Sequence, residues 1–233
     1  MLEKSNIAND LRKYGFDMKI KEDIVIVGAG GLGREVYQWA KDSLDSNKYR
    51  IKGFITNIPD HLNGFNIDAS VIGDPDDYKI EENDRFLFAI GNIDAKKGIV
   101  ENLKRRGAKF LTLIHKNALV AANAKIGEGV IVCPFALVSD SVVLEDFVIL
   151  NFYSSCAHDS KIGKYSILSP YATTNGFVTL EDEVFLGTHS TVTPHKTVGY
   201  RSKVSANSVV MQDVPSHTLV YGVPGKHQTI FKS

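Results

Sequence analysis

From Ile114 to Val210, every sixth residue belongs to one series, and fifteen of its seventeen members are Val, Ile or Leu; only Cys156 and Thr174 depart from it. Four residues after each runs a second series, from Ala118 to Val214, of Ala, Ser or Val with the single exception of Lys196. A helix repeating at 3.6 residues cannot hold such a register, and ordinary strands alternate at two with no fixed turn interval. A period of six, with one aliphatic and one small residue per unit, is the mark of a hexapeptide β-helix. Each hexad forms one flat side of a triangular coil, so residues eighteen apart stack at about 4.8 Å. No coil can bury its own inner face, but a stack of coils can. A sandwich with coincidental spacing would lose phase long before a hundred residues.

The residues before the repeat read differently. Asp23-Ile-Val-Ile-Val-Gly28 is a continuous β-branched run ending in glycine, as expected of a buried parallel strand. An amphipathic segment from Arg34 to Asp42 follows, then strands at Tyr49–Ile55 and Arg85–Ile90 and a helix near Ala95–Arg106. Strand and helix alternate, which predicts a small, open, Rossmann-like α/β domain. The expected divisions are an N-terminal extension over 1–22, with a short helix around Ile7–Tyr14, the α/β domain over 23–112, the β-helix over 113–215 and a cap over 216–233. Lys plus Arg and Asp plus Glu both total 27, so nothing in the charge balance points to nucleic acid or an anionic membrane. The start of the chain carries Glu3, Lys4, Asp10, Arg12 and Lys13 without an apolar signal core, so the expected location is cytoplasmic. Cys133 and Cys156 fall on or beside inward positions and read as buried thiols.

Two stretches carry chemistry. Gly28-x-Gly30-x-x-Gly33, with Gly31 inside it, lies between a strand and a helix, where bare backbone N–H groups and a helix N-terminus suit a phosphate. NAD binding calls for an acidic residue at the end of the second strand, but that strand ends Phe54-Ile55-Thr56-Asn57. The better match is a nucleotide diphosphate of another kind, with Asn57 and Asn92 at strand ends as rim residues or turn caps. The second stretch centres on His158, two residues beyond an inward position and therefore facing out of the coil. Asp140 lies eighteen residues before it and Gly176 eighteen after, which predicts a column of carboxylate, imidazole and bare backbone. Such a column suits acyl transfer: imidazole takes a proton from the attacking group, a carboxylate steadies the imidazolium, and a glycine N–H approaches the oxyanion. A metal site would need His158, His189 and His195 to converge, and their spacings of thirty-one and thirty-seven residues place them apart, so no metal is expected.

The chain resembles bacterial sugar acetyltransferases that join a nucleotide-sugar-binding α/β domain to a left-handed β-helix and acetylate nucleotide-linked amino sugars with acetyl-CoA. The carriers are the run from Ile24 to Glu35, Ala89-Ile-Gly-Asn92, Leu113-Ile-His115, Cys156-Ala-His-Asp-Ser-Lys-Ile-Gly163 and Tyr221-Gly-Val-Pro-Gly-Lys226. The resemblance implies left-handed coiling and a homotrimer with acetyl-CoA between neighbouring β-helices. It also implies His158 as general base, Asp159 as its carboxylate partner in competition with Asp140, Asn151 near the substrate, and the Gly176 N–H toward the thioester oxygen. Lys196 and Lys226 are candidates for the coenzyme phosphates, and Lys196, in a small-residue slot, suggests a bulge or short loop after Pro194. The expected reaction is N-acetylation of a 4-amino-4,6-dideoxyhexose carried on a nucleotide. The alternatives are a sugar O-acetyltransferase of the sialic acid type and a non-catalytic nucleotide-sugar-binding protein.

Overall fold

A computed structural model describes residues 21–230. The helix expected around Ile7–Tyr14 lies outside that range. The α/β unit consists of β1 (Glu22–Val27), α1 (Gly31–Ser43), β2 (Tyr49–Ile55), β3 (Val71–Gly73), β4 (Asp84–Phe88) and α2 (Ile93–Arg105). The strands form one parallel sheet in the order β3-β2-β1-β4. The short β3, half-buried throughout, was not legible as a strand: three residues are too few to show a period.

Beyond Leu113 the chain winds into two-residue strands that pair in parallel with the strands eighteen residues away, as in Val143 with Lys161 and Ser155 with Thr173. They build three sheets, one per side of the triangle. Face B starts at Leu113–Ile114, face C at Leu119–Val120 and face D at Lys125–Ile126. From Val132 to Val210 the sixfold series is buried and forms one core down the axis. Each such aliphatic side chain contributes roughly 1.5–3 kcal/mol. At the open end the expectation fails: Ile114 is 40 % exposed and Val120 and Ile126 are half-buried, because only one neighbouring coil covers them.

The corners refine the sequence reading. From Gly129 to Asn207 the residue before each small residue takes the left-handed turn, as do Asp159 at φ 59° and Tyr165 at φ 62°. The small residue after it, Ser160 or Ser166, is then buried against the inside of the corner. Lys196 causes neither a bulge nor a longer loop. Thr197 pairs in register with Thr179, and the Lys196 carbonyl accepts from the Thr179 amide at 2.9 Å. The hexad tolerates the long side chain because that position is only half-buried here.

The α/β unit covers face B. Outward-pointing Ile131, Cys133, Ile149 and Ile167 are buried in one cluster with Ile24, Val36 and Ala40. Helix α2 lies along the edge between faces D and B, where Asp94 pairs with Arg201 at 2.5 Å and Lys97 with Glu183 at 3.4 Å. The Lys96 amine, on a residue 1 % exposed, donates to the Phe147 carbonyl at the corner. Burial pulls that amine down to about 7. The last strands, Thr218–Tyr221 and Lys226–Thr229, form a hairpin that ends face B. Among the described residues no helix is long and apolar enough to cross a membrane.

Candidate active site

His158 stands on the edge between faces C and D, exposed at a corner where Asp159 makes the left-handed turn. That turn brings the Asp159 carboxylate back to its neighbour, and His158 Nδ1 lies 2.8 Å from Asp159 Oδ2. With the proton on Nδ1, Nε2 is left as the acceptor. Asp140 does stack on this edge, its carbonyl accepting from the Asp159 amide at 3.1 Å, but its carboxylate is engaged by Asn123 at 2.9 Å and Ser141 at 3.0 Å. Of the two competing carboxylates, Asp159 is the one that meets the imidazole.

Gly176 lies on the next rung, and the His158 ring occupies the space that a side chain there would fill. A Cβ on Gly176 would sit 2.6 Å from His158 Cε1 and 2.8 Å from Nε2. The amides on either side are engaged in the coil ladder, Asn175 with the Val192 carbonyl at 3.0 Å and Phe177 with the His158 carbonyl at 3.1 Å. Phe177 packs perpendicular to the His158 ring at 5.3 Å and stacks on His195 at 4.8 Å. His189 belongs to the edge between faces B and C, where it stacks on Tyr171 at 4.6 Å, so the three histidines do not converge within the chain.

Asn151 is not beside His158. It occupies the same coil at the edge between faces B and C, where its side chain accepts from the Phe152 amide at 2.9 Å. Lys196 lies on the edge that carries His158, whereas Lys226 is on the terminal hairpin of face B. Cys133 and Cys156 are both fully buried, and loss of solvation raises both thiols, that of Cys156 to about 12. Neither is available as a nucleophile at neutral pH.

The glycine loop shows two kinds of glycine. Gly28 has φ +97° and packs against Ala89 and Ile90, and a Cβ on Gly33 would fall 2.1 Å from the Gly28 carbonyl oxygen. Those two are required by the fold. Gly30 and Gly31 face open space, so bare backbone at the start of α1 is accessible to a ligand. The loop stands where the strand order reverses between β1 and β4, the switch point at which open α/β sheets take their ligands. Across it, Asn92 caps α2 through hydrogen bonds of 2.9 and 3.3 Å from Asp94 and Ala95, so its side-chain oxygen has a structural task. Beside Asn92 an open groove of about 330 Å³ runs between Gly91–Asp94 and the Phe185 and Lys203 side of face B. Asn57 is exposed at the end of β2. The sequence reading passed over His61, which meets the Thr56 hydroxyl at 3.2 Å, and Arg34, whose guanidinium lies 3.6 Å over the exposed Phe65 ring beside Gly31. The only sequence signal for the second pair was the cation in the first turn after the glycines.

The profile of the PglD N-terminal domain matches residues 23–103. Over 74 residues the chain is 32 % identical to the GDP-perosamine N-acetyltransferase of Escherichia coli O157:H7, covering 32 % of this chain and 34 % of that protein. The chain spans about a third or less of the length of the curated relatives it matches. Among solved structures, the acetyltransferase domain of PglB from Neisseria gonorrhoeae FA1090, in complex with acetyl coenzyme A, superposes with a TM-score of 0.81 at 29 % identity, covering 89 % of this chain and 99 % of that one. PerB from Caulobacter crescentus, in complex with CoA and GDP-perosamine, superposes with a TM-score of 0.80 at 26 % identity, covering 88 % and 97 %. A PglD-type sheet followed by a left-handed β-helix is common to this chain and those structures, and the chain is similar to nucleotide amino-sugar N-acetyltransferases over both parts.

Proposed function

We propose that the protein transfers the acetyl group of acetyl-CoA to the amino group of a nucleotide-activated sugar, a 4-amino-4,6-dideoxyhexose. The observation that carries this reading is the His158 imidazole, held by Asp159 through Nδ1 at 2.8 Å and lodged over bare Gly176. The neutral amine attacks the thioester carbonyl, and a tetrahedral oxyanion forms against the Gly176 N–H. His158 Nε2 takes the proton that the amine nitrogen sheds, and the Asp159 carboxylate steadies the resulting imidazolium. Collapse expels the coenzyme thiolate, which recovers that proton, so no acyl-enzyme is needed. The diphosphate of the sugar nucleotide lies over Gly30 and Gly31, within the loop from Gly28 to Gly33, with Asn57 and Asn92 at the rim. Of the relatives named above, the Escherichia coli enzyme acts on GDP-perosamine by name and PerB holds it in the crystal, which favours an amine acceptor over a hydroxyl.

The layout of the prism supports a shared site. The α/β unit covers face B, whereas His158 stands on the opposite edge, between faces C and D. A ligand held on a chain's own glycine loop therefore lies across the prism from that chain's His158, and the histidine that meets it belongs to a second copy. Face C fits that copy. Its outward positions Leu119, Leu137, Ser155, Thr173, Thr191 and Val209 carry no charge, and stacked aromatic rings at Phe135, Tyr153 and Tyr171 flank it. Face D, by contrast, carries Lys125, Glu145, Lys161 and Glu181 and suits water. Packing face C against a neighbour closes a homotrimer and brings the neighbour's Asn151 edge toward His158. Acetyl-CoA then occupies the groove between β-helices, with Lys196 and Lys226 as candidates for its phosphates.

The test is thiol release from acetyl-CoA with GDP-perosamine and the UDP- and dTDP-linked 4-amino sugars as acceptors. His158→Ala should lower kcat by two to four orders of magnitude, the usual range for a general base. Turnover within tenfold of wild type, or release with none of these acceptors, overturns the assignment.

A further inference from the structure

The reaction set out above makes no use of Phe177, the ring that stands against the catalytic imidazole. Asp159 holds one nitrogen of His158, but the two side chains are 42 % and 55 % exposed. A solvated pair of this kind is a weak restraint. It also leaves the ring free to swing about the bond it makes. Gly176 bounds one side of that swing, since the ring already fills the space of its missing side chain. Phe177 bounds another, perpendicular to the imidazole at 87° with centroids 5.3 Å apart.

Phe177 is itself 49 % exposed and would be a poor stop on its own. It is backed by His195, whose ring lies parallel to it within 7° at 4.8 Å, the spacing of the rungs themselves. The backbones of the three residues are tied by hydrogen bonds of 3.1 Å, from Phe177 to the His158 carbonyl and from His195 to the Gly176 carbonyl. On this edge the left-handed corner positions run Ser141, Asp159, Phe177 and His195, so the aromatic pair begins on the rung that follows His158. The neighbouring edge instead stacks rings without a break from Phe135 to His189.

We propose that Phe177, braced by His195, is a positioning residue that holds the His158 ring with Nε2 toward the acceptor amine. This rests on His158 being the base, and the experiment separates the two claims. Wild type, Phe177→Leu, Phe177→Tyr and His158→Ala are compared in the thiol-release assay, with assembly mass measured for each. Phe177→Leu should lower kcat roughly tenfold through misplacement of the base. The KM values for acetyl-CoA and GDP-perosamine should stay within twofold and the mass should be unchanged, while Phe177→Tyr recovers most of the rate. In parallel, the ring-current-shifted Cε1–H resonance of His158 should move toward its free position in Phe177→Leu and not in Phe177→Tyr. A Phe177→Leu enzyme with wild-type kcat and an unmoved resonance overturns the proposal, as does a loss that follows dissociation or a rise in KM. Near-normal turnover by His158→Ala instead sinks the assignment of the base, and the resonance still reports whether Phe177 holds the ring.

Discussion

Gly176→Ala separates geometry from hydrogen bonding at the site, because alanine keeps the backbone N–H and adds only a methyl group. That methyl carbon would lie 2.6 Å from His158 Cε1. Non-bonded carbons rest at about 3.5–4.0 Å, so the imidazole must retreat by about 1 Å. Misplacement on that scale costs roughly 100-fold in rate, equivalent to about 2.7 kcal/mol in the barrier. The fold should not suffer: Gly176 is not among the glycines with positive φ, and the crowded neighbour is the free end of an exposed side chain. Fewer unfolded conformations should even raise stability by about 0.4–1 kcal/mol. The expected enzyme is therefore unimpaired in thermal unfolding and in assembly mass but slowed about 100-fold in thiol release. If Gly176→Ala works within threefold of wild type, the imidazole does not need the position it holds over this glycine, and the reasoning fails. If it is slow but also unfolds many degrees lower, the loss belongs to the scaffold.

Two further perturbations test the junction and the assembly. Lys96 has its amine pulled from 10.5 to about 7 by burial. The unfolded chain then binds the extra proton between about pH 7 and pH 10.5, so stability should rise with pH across that window, by up to about 5 kcal/mol. Urea unfolding should show this rise in wild type and a flatter profile in Lys96→Met, and parallel profiles would refute it. Thr173→Arg places a charge at the centre of uncharged face C and should cost about 3 kcal/mol or more per contact if that face is dry in the assembly. Light scattering should show dissociation together with loss of turnover, and an unchanged mass would move the interface elsewhere.

Much of this architecture can be read from residue identities, because a period of six fixes register as well as secondary structure. Knowing that Val132 points inward places Asp159, Phe177 and His195 on one edge without any coordinates. What the period does not carry is the direction of side chains at the corners. Asp140 and Asp159 were both in reach of His158 by count, and the left-handed turn at Asp159 decided between them by folding its carboxylate back on its neighbour. Likewise the Gly28-x-Gly30-x-x-Gly33 pattern treats its glycines alike. Contacts divide them into two that the fold requires and two, Gly30 and the intervening Gly31, that stand open. The strand β3 and the burial of Lys96 depend on partners distant in the chain, Ile55 and Phe54 for one and Phe147 for the other, and leave no local pattern.

The three faces of the prism differ in the residues that flank the inward series. One outward position in three reads Ile131, Ile149, Ile167 and Phe185, the next Leu137, Ser155, Thr173 and Thr191, and the next Lys125, Val143, Lys161 and Thr179. Apolar, uncharged and charged faces follow one another around the coil, and in the proposed assembly each meets a different medium: the α/β unit, a second copy, and water. Since the α/β unit takes the apolar face, the edge farthest from it is the one between the other two, and His158 is on that edge. If His158 is the base, as proposed, it is remote from the loop that would hold its substrate in the same chain. Under the proposed function that separation would make assembly a condition of turnover, so a face C variant should lose activity in step with its loss of mass. A monomeric form that still releases thiol at the wild-type rate would break this chain of inference at its first link.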